Sequence, residues 1–213
     1  MENPLAPLLA PPADPADVRI LEAAVAQFAL IGIRRTSADD IARRSGVNRT
    51  TLYRRMGTKE EIVRAAMAHE VRKVLAEIEA RLAGIDDPLE RQLHGFGVTV
   101  TTLRGNPLLR QLLAVDRDET LVWLTLDAGA AIEIATAYVV GMVTELRTAL
   151  GLPDTPPAEV VAATIVRLVH SLVLTPDGPP RLPDDRSLRE FAATVICPLI
   201  GVPLDRSAGR ADQ

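Results

Sequence analysis

Residues 36–62 read TSADDIARRSGVNRTTLYRRMGTKEEI, and this stretch contains two short helical patterns joined by a tight turn. Ser37, followed three residues later by Asp40, predicts a capping box at the start of the first helix. Gly46 suits the left-handed position where a helix ends, and Asn48 can cap a second helix running from Arg49 to about Arg55. Two short helices held by a glycine-containing turn form a helix-turn-helix unit.

The second helix of this unit carries polar and basic side chains that suit the major groove of DNA. Arginine and hydroxyl groups bind phosphates and base edges there. The side chains predicted to be exposed for this purpose are Arg49, Thr50, Thr51, Tyr53, Arg54 and Arg55. For Arg49 and Arg54 two interpretations stay open, which are paired hydrogen bonds to guanine and neutralisation of phosphates regardless of sequence.

The charge of the chain is unevenly distributed. The 213 residues carry a formal net charge of −4, yet residues 34–64 contain nine basic and four acidic residues, a net charge of +5. A basic module in an otherwise acidic chain can bind phosphate, while the acidic remainder discourages non-specific coating of DNA. The charge distribution therefore supports the helix-turn-helix prediction.

Composition and spacing predict an all-α fold. Hydrophobic residues make up 47% of the chain and aromatics only 3%, and no long alternation of apolar and polar residues suggests strands. A first helix, capped by Asp14, should end at Gly32, and Thr58 with Glu61 should open a long helix. Further helices are predicted at 88–104, 107–115, 118–150 with a break near 127–129, 157–174 and 185–201. We expect disordered tails at 1–13 and 203–213, a three-helix head at 14–60 and a larger helical body at 61–202.

Several classes of site are not indicated. Cys197 is the only cysteine and the three histidines are scattered, so the sequence predicts no disulfide, no metal site and no cofactor. No grouping of residues suggests catalysis. The amino terminus lacks the basic start of a signal peptide, and the apolar window 121–143 is interrupted by Asp127 and Glu133, so no membrane span is expected. These features predict a cytoplasmic protein that is not an enzyme.

The last two predicted helices are apolar on more than one face. Such helices are central in a core or are covered on one face by another subunit. A two-fold homodimer would use both faces, and the alternative is a core pair in a monomer. The residues predicted for the dimer interface are Val161, Ile165, Leu168, Leu172, Phe191, Val195 and Leu199.

Residues 28–62, FALIGIRRTSADDIARRSGVNRTTLYRRMGTKEEI, resemble the TetR family of transcriptional regulators. The matching features are the aromatic and glycine that end the first helix, the IA pair, GV followed by a capping residue, LY in the second helix of the unit, and a small residue, Lys and Glu opening the next. Arg55 and Met56 depart from the pattern, which commonly has an aromatic or His and then Phe. The resemblance implies a helix-turn-helix head on a helical body that binds ligand and dimerises.

The resemblance also implies roles for individual residues. Thr50 and Tyr53 fall where the family contacts bases or nearby phosphates, and Thr36 or Ser37 and Lys59 fall where phosphate contacts are usual. An effector pocket is implied in the middle helices, although ordinary core packing would explain the same residues. The candidate lining residues are His94, Phe96, Thr99, Trp123, Tyr138 and Met142.

The function implied by the resemblance is that of a repressor released from a palindromic DNA operator by a small, largely apolar effector. Its partners would then be double-stranded DNA, the effector and a second copy of the chain. The alternative from another class is a helical small-molecule-binding protein or enzyme in which the DNA-binding head is not the main activity.

Overall fold

The computed structural model describes residues 14–205, and no strand occurs among them. The predicted all-α fold is confirmed. The helices are α1 (Pro15–Ile31), α2 (Ala38–Ser45), α3 (Arg49–Met56), α4 (Lys59–Leu82), α5 (Pro88–Gly105), α6 (Pro107–Val115), α7 (Arg117–Thr125), α8 (Gly129–Leu150), α9 (Ala158–Leu174), α10 (Asp185–Phe191) and α11 (Cys197–Ile200). The tail predicted at 1–13, and all of the tail predicted at 203–213 except its first three residues, lie outside the described residues.

Local side-chain signals set the ends of the first helices, as predicted. Asp14 caps α1 by accepting the backbone N–H of Ala16 at 2.8 Å. Ser37 and Asp40 form a complete capping box at the start of α2, and the side chain of Asn48 accepts the N–H of Thr51 at 2.7 Å at the start of α3. Gly46 has a φ of 73° in the left-handed region. The predicted helix-turn-helix is therefore confirmed.

The described residues form two compact units, and the border between them falls inside α4 and α8. The first, called the head here, comprises residues 14–74 and Gly105–Ile134. Its core contains fully buried side chains from α1 to α4 and also Leu112 of α6. By these contacts α6 and α7 pack with the head, whereas the sequence predicts a border between head and body at residue 60. A motif in the sequence does not show which distant helices share its core.

The second unit, called the body, comprises Leu75–Arg104 and 135–205. One hydrophobic cluster joins α5, α8, α9 and the last helices. The buried guanidinium of Arg147 ties α8 to the end of the chain, since Nε donates to the carbonyl of Ile200 at 2.9 Å and Nη1 lies 2.5 Å from Asp154.

The helix predicted at 185–201 is not continuous. It divides into α10, a π-helical turn at Ala192–Ile196 and α11. Pro198 lies in the first turn of α11, where it supplies no N–H and its ring would clash with the carbonyl four residues earlier in a regular helix. A widened turn before proline accommodates both constraints.

Helix α8 is long and apolar enough to cross a membrane, judged by length and composition alone. Core helices of water-soluble proteins pass the same test. In the body, α8 buries Tyr138, Val143, Leu146 and Arg147, and Val143 and Leu146 belong to the hydrophobic cluster. These residues of α8 pack in the core of the body, whereas 17% of its most apolar stretch of 18 residues is buried within this chain.

His69 and Cys197 are buried titratable groups that lie away from the helix-turn-helix. His69 on α4 is 4% exposed, and burial, followed by the nearby charge of Lys73, lowers its pKa below 6.5. Burial also raises the pKa of the Cys197 thiol to about 12, as expected for a small residue packed in a core. Both groups are therefore uncharged at neutral pH.

Candidate nucleic-acid interface

Helix α3 is held in the head by one buried side chain and by polar contacts at its ends. Leu52 is its only fully buried residue, at 0% exposure, and Met56 packs half-buried against the same cluster. Met56 therefore fills a place in the core where the family pattern commonly has Phe. The rest of this eight-residue helix is left accessible.

The accessible side of α3 forms a continuous polar arc. At about 100° of rotation per residue, Arg49, Thr50, Tyr53 and Arg54 occupy an arc about 140° wide, and Leu52 lies on the opposite side. All four residues of the arc are exposed. Thr51, also predicted as a contact, is half-buried on the flank. We call the four exposed residues the recognition arc.

The two arginines of the recognition arc differ in their surroundings. Nη1 of Arg49 lies 3.1 Å from Oδ2 of Asp39 on α2, and its guanidinium lies 5.5 Å from the centroid of the Tyr53 ring. Within residues 14–205, Arg54 has neither an ion pair nor a side-chain hydrogen bond. Arg54 is therefore free to bind an anion, and Arg49 is already oriented across the arc.

Arg55 does not face the same way as the recognition arc. Its Nη1 lies 2.6 Å from Oδ2 of Asp14 and 2.7 Å from Oδ1 of Asp17, both at the start of α1. Two carboxylates thus hold the side chain of Arg55, and its predicted contact with DNA stays a prediction. Its partners are 41 and 38 residues away in the chain, so no local pattern indicated the pairing.

The positions predicted for phosphate contact divide into buried and accessible ones. Thr36 is 1% exposed, and its hydroxyl donates to the carbonyl of Gly32 at 2.7 Å, so its side chain is not available to a phosphate. Ser37 is exposed but donates its hydroxyl to Asp40. Lys59 is half-buried, and its Nζ donates to the carbonyl of Arg34 at 3.1 Å, which leaves two further N–H groups for an anion.

A junction between α6 and α7 supports the turn that precedes α2. The carboxylate of Asp116 accepts the N–H of Arg34 at 2.9 Å, and the carbonyl of Val115 accepts a hydrogen bond from Arg35 at 3.1 Å. Gly32 permits this approach, since a Cβ there would lie 2.7 Å from Cβ of Asp116. Sequence analysis missed this contact because 82 residues separate Asp116 from Arg34.

The residues proposed for an effector pocket do not form one group. Trp123 packs against the head cluster, so it is not part of the body, and His94 is exposed with Nδ1 2.9 Å from Arg189. In the body, Phe96 is buried and stacks on Phe191 with ring centroids 5.4 Å apart. The hydroxyl of Thr99 donates to the carbonyl of Gly95. Of the expected lining, the residues that lie in the body and are at least half-buried are Phe96, Thr99, Tyr138 and Met142.

Tyr138 belongs to a polar cluster inside the body that sequence analysis did not find. Its hydroxyl donates to Glu79, and Nη2 of Arg91 lies 2.5 Å from the other oxygen of Glu79. Burial, followed by the bond to Glu79, raises the pKa of Tyr138 above its usual value of 10. These residues come from α4, α5 and α8, so their meeting depends on tertiary structure.

The residues predicted for a dimer interface fall into two groups, which differ in how far their own chain buries them. Val161, Ile165 and Leu172 are buried in the core of their own chain, which corrects the expectation that this stripe of α9 meets a partner. Periodicity marks a stripe as apolar but does not say which surface covers it. The opposite side of α9 is exposed, with Val160 at 57%. Four predicted residues stay half-buried: Leu168, Phe191, Val195 and Leu199.

Comparison with known proteins matches both units. Residues 20–66 match the family model of bacterial regulatory proteins of the tetR family, and residues 87–193, half of the chain, match that of the bacterial tetracyclin repressor C-terminal domain. An HTH-type transcriptional regulator of Mycobacterium tuberculosis (strain ATCC 25618 / H37Rv) is 26% identical over 180 residues, which cover 84% of this chain and 85% of that protein.

Two solved structures share the fold. The transcriptional repressor QsdR from R. erythropolis has a TM-score of 0.65 at 22% identity and covers 90% of this chain and 97% of its own. The repressor AlkX from Dietzia sp. strain DQ12-45-1b has a TM-score of 0.66 at 20% identity and covers 91% and 99%. The helix-turn-helix is capped at both of its helices and leaves a polar arc of α3 exposed. The two family models show that the chain belongs to the TetR family of transcriptional regulators, in which the helix-turn-helix binds DNA.

Proposed function

We propose that this regulator is a repressor that binds a near-palindromic operator as a homodimer and is released by a small, largely apolar effector. The observation that carries the DNA-binding part is the recognition arc, which is the exposed face of a helix whose opposite side buries Leu52. The two structural neighbours described above are repressors of the same family, which supports repression over activation.

Within the recognition arc, we assign Thr50, Tyr53 and Arg54 to direct contact with DNA. Among residues 14–205 no side chain binds the guanidinium of Arg54, and Thr50 and Tyr53 are exposed beside it. Arg49 joins them because Asp39 and the ring of Tyr53 hold its guanidinium at the surface. Lys59 and Ser37 lie at helix starts, where phosphates are commonly bound, and complete the proposed interface.

The proposed effector would bind in the body near Phe96, Tyr138 and Met142. Most ligand sites are largely apolar with a few polar groups, and the bonded pair of Tyr138 and Glu79 would supply polarity here. Release from DNA requires that the effector bind one conformation of the dimer better than the other, since equal affinity for both shifts nothing. Repression inside the bacterial cell also implies a cytoplasmic location.

Dimerisation would use the exposed side of α9 together with the half-buried side chains of the last helices. Val160 is 57% exposed, and Leu168, Val195 and Leu199 are only half-buried by their own chain. A two-fold axis would bring the same residues of both copies together and would present two α3 helices to one operator.

Replacing Arg49, Thr50 and Arg54 together by alanine tests the proposed interface. On the duplex that the unmodified protein selects from random-sequence DNA, we expect the affinity to fall at least about 100-fold, since each specific contact contributes on the order of 1–3 kcal/mol. Fluorescence anisotropy at several salt concentrations would measure the loss. Weakening on every duplex indicates phosphate contacts, weakening confined to the selected duplex indicates base contacts, and unchanged affinity of the folded variant contradicts the proposal.

A further inference from the structure

Arg55 differs from the other arginines of α3 because two carboxylates of another helix hold it. One nitrogen, Nη1, lies within 2.7 Å of both Asp14 and Asp17. Asp14 uses its other oxygen to cap α1. The contact therefore joins the last turn of α3 to the capped first turn of α1.

Helix α3 depends on such contacts for its orientation. It has eight residues, fewer than the 12–15 or so that an isolated helix needs for marginal stability. Leu52 is its one fully buried side chain, and Met56 packs half-buried beside the same cluster; these two contacts lie on one side of the helix. Asn48 and the ion pair of Arg49 with Asp39 restrain the first turn, and Arg55 restrains the last turn.

The same geometry makes Arg55 a poor ligand for a phosphate. At about 100° per residue, Arg55 lies outside the recognition arc and about 60° from Leu52. A phosphate bound there would stand beside two carboxylates and would compete with them for the guanidinium. The hydrogen bonds to Asp14 and Asp17 raise the pKa of Arg55, and the bond to Arg55 lowers the pKa of Asp14, so both groups are charged at neutral pH.

Building on the proposed function, we propose that Arg55 is a positioning residue for DNA recognition, which orients α3 through Asp14 and Asp17 without touching DNA. The phosphate-binding alternative makes the opposite prediction for the aspartates. If Arg55 bound a phosphate, removal of the two carboxylates would free it and strengthen the binding of DNA.

The test uses the full-length protein with the substitutions Asp14→Asn and Asp17→Asn, and the duplex selected by the unmodified protein. Asparagine caps helices as well as aspartate does, so α1 keeps its cap while the charges are lost. We expect the affinity for this duplex to fall about fivefold to tenfold. The slope of log affinity against log salt should not change, because no phosphate contact is lost.

Arg55→Gln provides the second half of the test. This substitution should lower the affinity for the same duplex to a similar extent, with an unchanged salt slope. Adding it to the two asparagine substitutions should cause no further loss of affinity. Arg55→Lys, which keeps the charge, should recover part of the affinity. Arg54→Gln is the matched control, since it removes a free charge from the recognition arc and should make the slope shallower by up to about 0.9.

The outcomes separate the positioning role from the proposed function. A protein that selects no duplex contradicts the proposed function. If a duplex is selected, tighter binding by the asparagine variant, unchanged affinity of the folded variants, or a slope shallower by about 0.9 for Arg55→Gln contradicts only the positioning role. If the asparagine variant does not fold, as judged by circular dichroism, the slope for Arg55→Gln decides.

Discussion

Replacing Leu52 by alanine is expected to lower the free energy of unfolding of the head by about 2–5 kcal/mol, the range for leucine in a fully packed core. Leu52 is 0% exposed and is the only fully buried side chain of α3. Its loss would detach the recognition arc from the head core, so we also expect the binding of the selected duplex to disappear. Urea denaturation followed by tryptophan fluorescence measures the effect, because the chain's single tryptophan, Trp123, packs against the head cluster.

Two control variants test whether the loss of stability in Leu52→Ala comes from lost packing. Thr50→Ala changes an exposed position of the same helix and should alter the free energy of unfolding by less than about 0.5 kcal/mol. Leu52→Met nearly conserves volume and should cost less than about 1.5 kcal/mol. Equal losses for Leu52→Ala and Thr50→Ala would mean that α3 is not anchored in the way described.

Replacing Gly32 by alanine is expected to cost about 2–4 kcal/mol of head stability. Gly32 has φ 89° and ψ 159°, a region open essentially only to glycine. The added Cβ would also lie 2.7 Å from both Cβ and Oδ2 of Asp116, which would displace the carboxylate that accepts the N–H of Arg34. The same fluorescence-monitored denaturation measures the loss.

Gly46→Ala separates these two causes. Gly46 also has a positive φ, 73°, but a Cβ there would meet no atom within 4 Å. We expect this variant to cost only about 1–2 kcal/mol, the strain of a left-handed residue other than glycine. If Gly32→Ala costs no more than Gly46→Ala, the contact between Asp116 and the turn before α2 does not stabilise the head.

The features that sequence analysis predicted correctly are those set by near neighbours. The caps made by Asp14, Ser37 and Asn48 reach only two or three residues along the chain, and a helix ends at Gly46 because of its own backbone conformation. Apolar spacing likewise located the long helices and the break before α8. Such signals are complete within a short window of sequence.

The features that it missed depend on contacts between distant residues. Arg55 looked like one more basic side chain until the fold brought the start of α1 beside it. Thr36 matched a position of the family pattern that often contacts phosphate, yet the turn after α1 buries its side chain in this chain. Trp123 lies far from the helix-turn-helix in the sequence, yet its side chain packs against the head cluster. In α9 two apolar stripes were visible, and only tertiary packing showed that the one containing Val161 and Ile165 faces inward.

The central claim is that two copies of α3 read one operator, and selection of bound duplexes from a random-sequence pool by the full-length protein tests it most directly. We expect an inverted repeat whose half-sites are centred about 10–10.5 base pairs apart, or a multiple of that spacing, because two recognition helices of a dimer enter successive major grooves. Recovery of no enriched sequence, with affinity equal to that for an arbitrary duplex at every salt concentration, would contradict it.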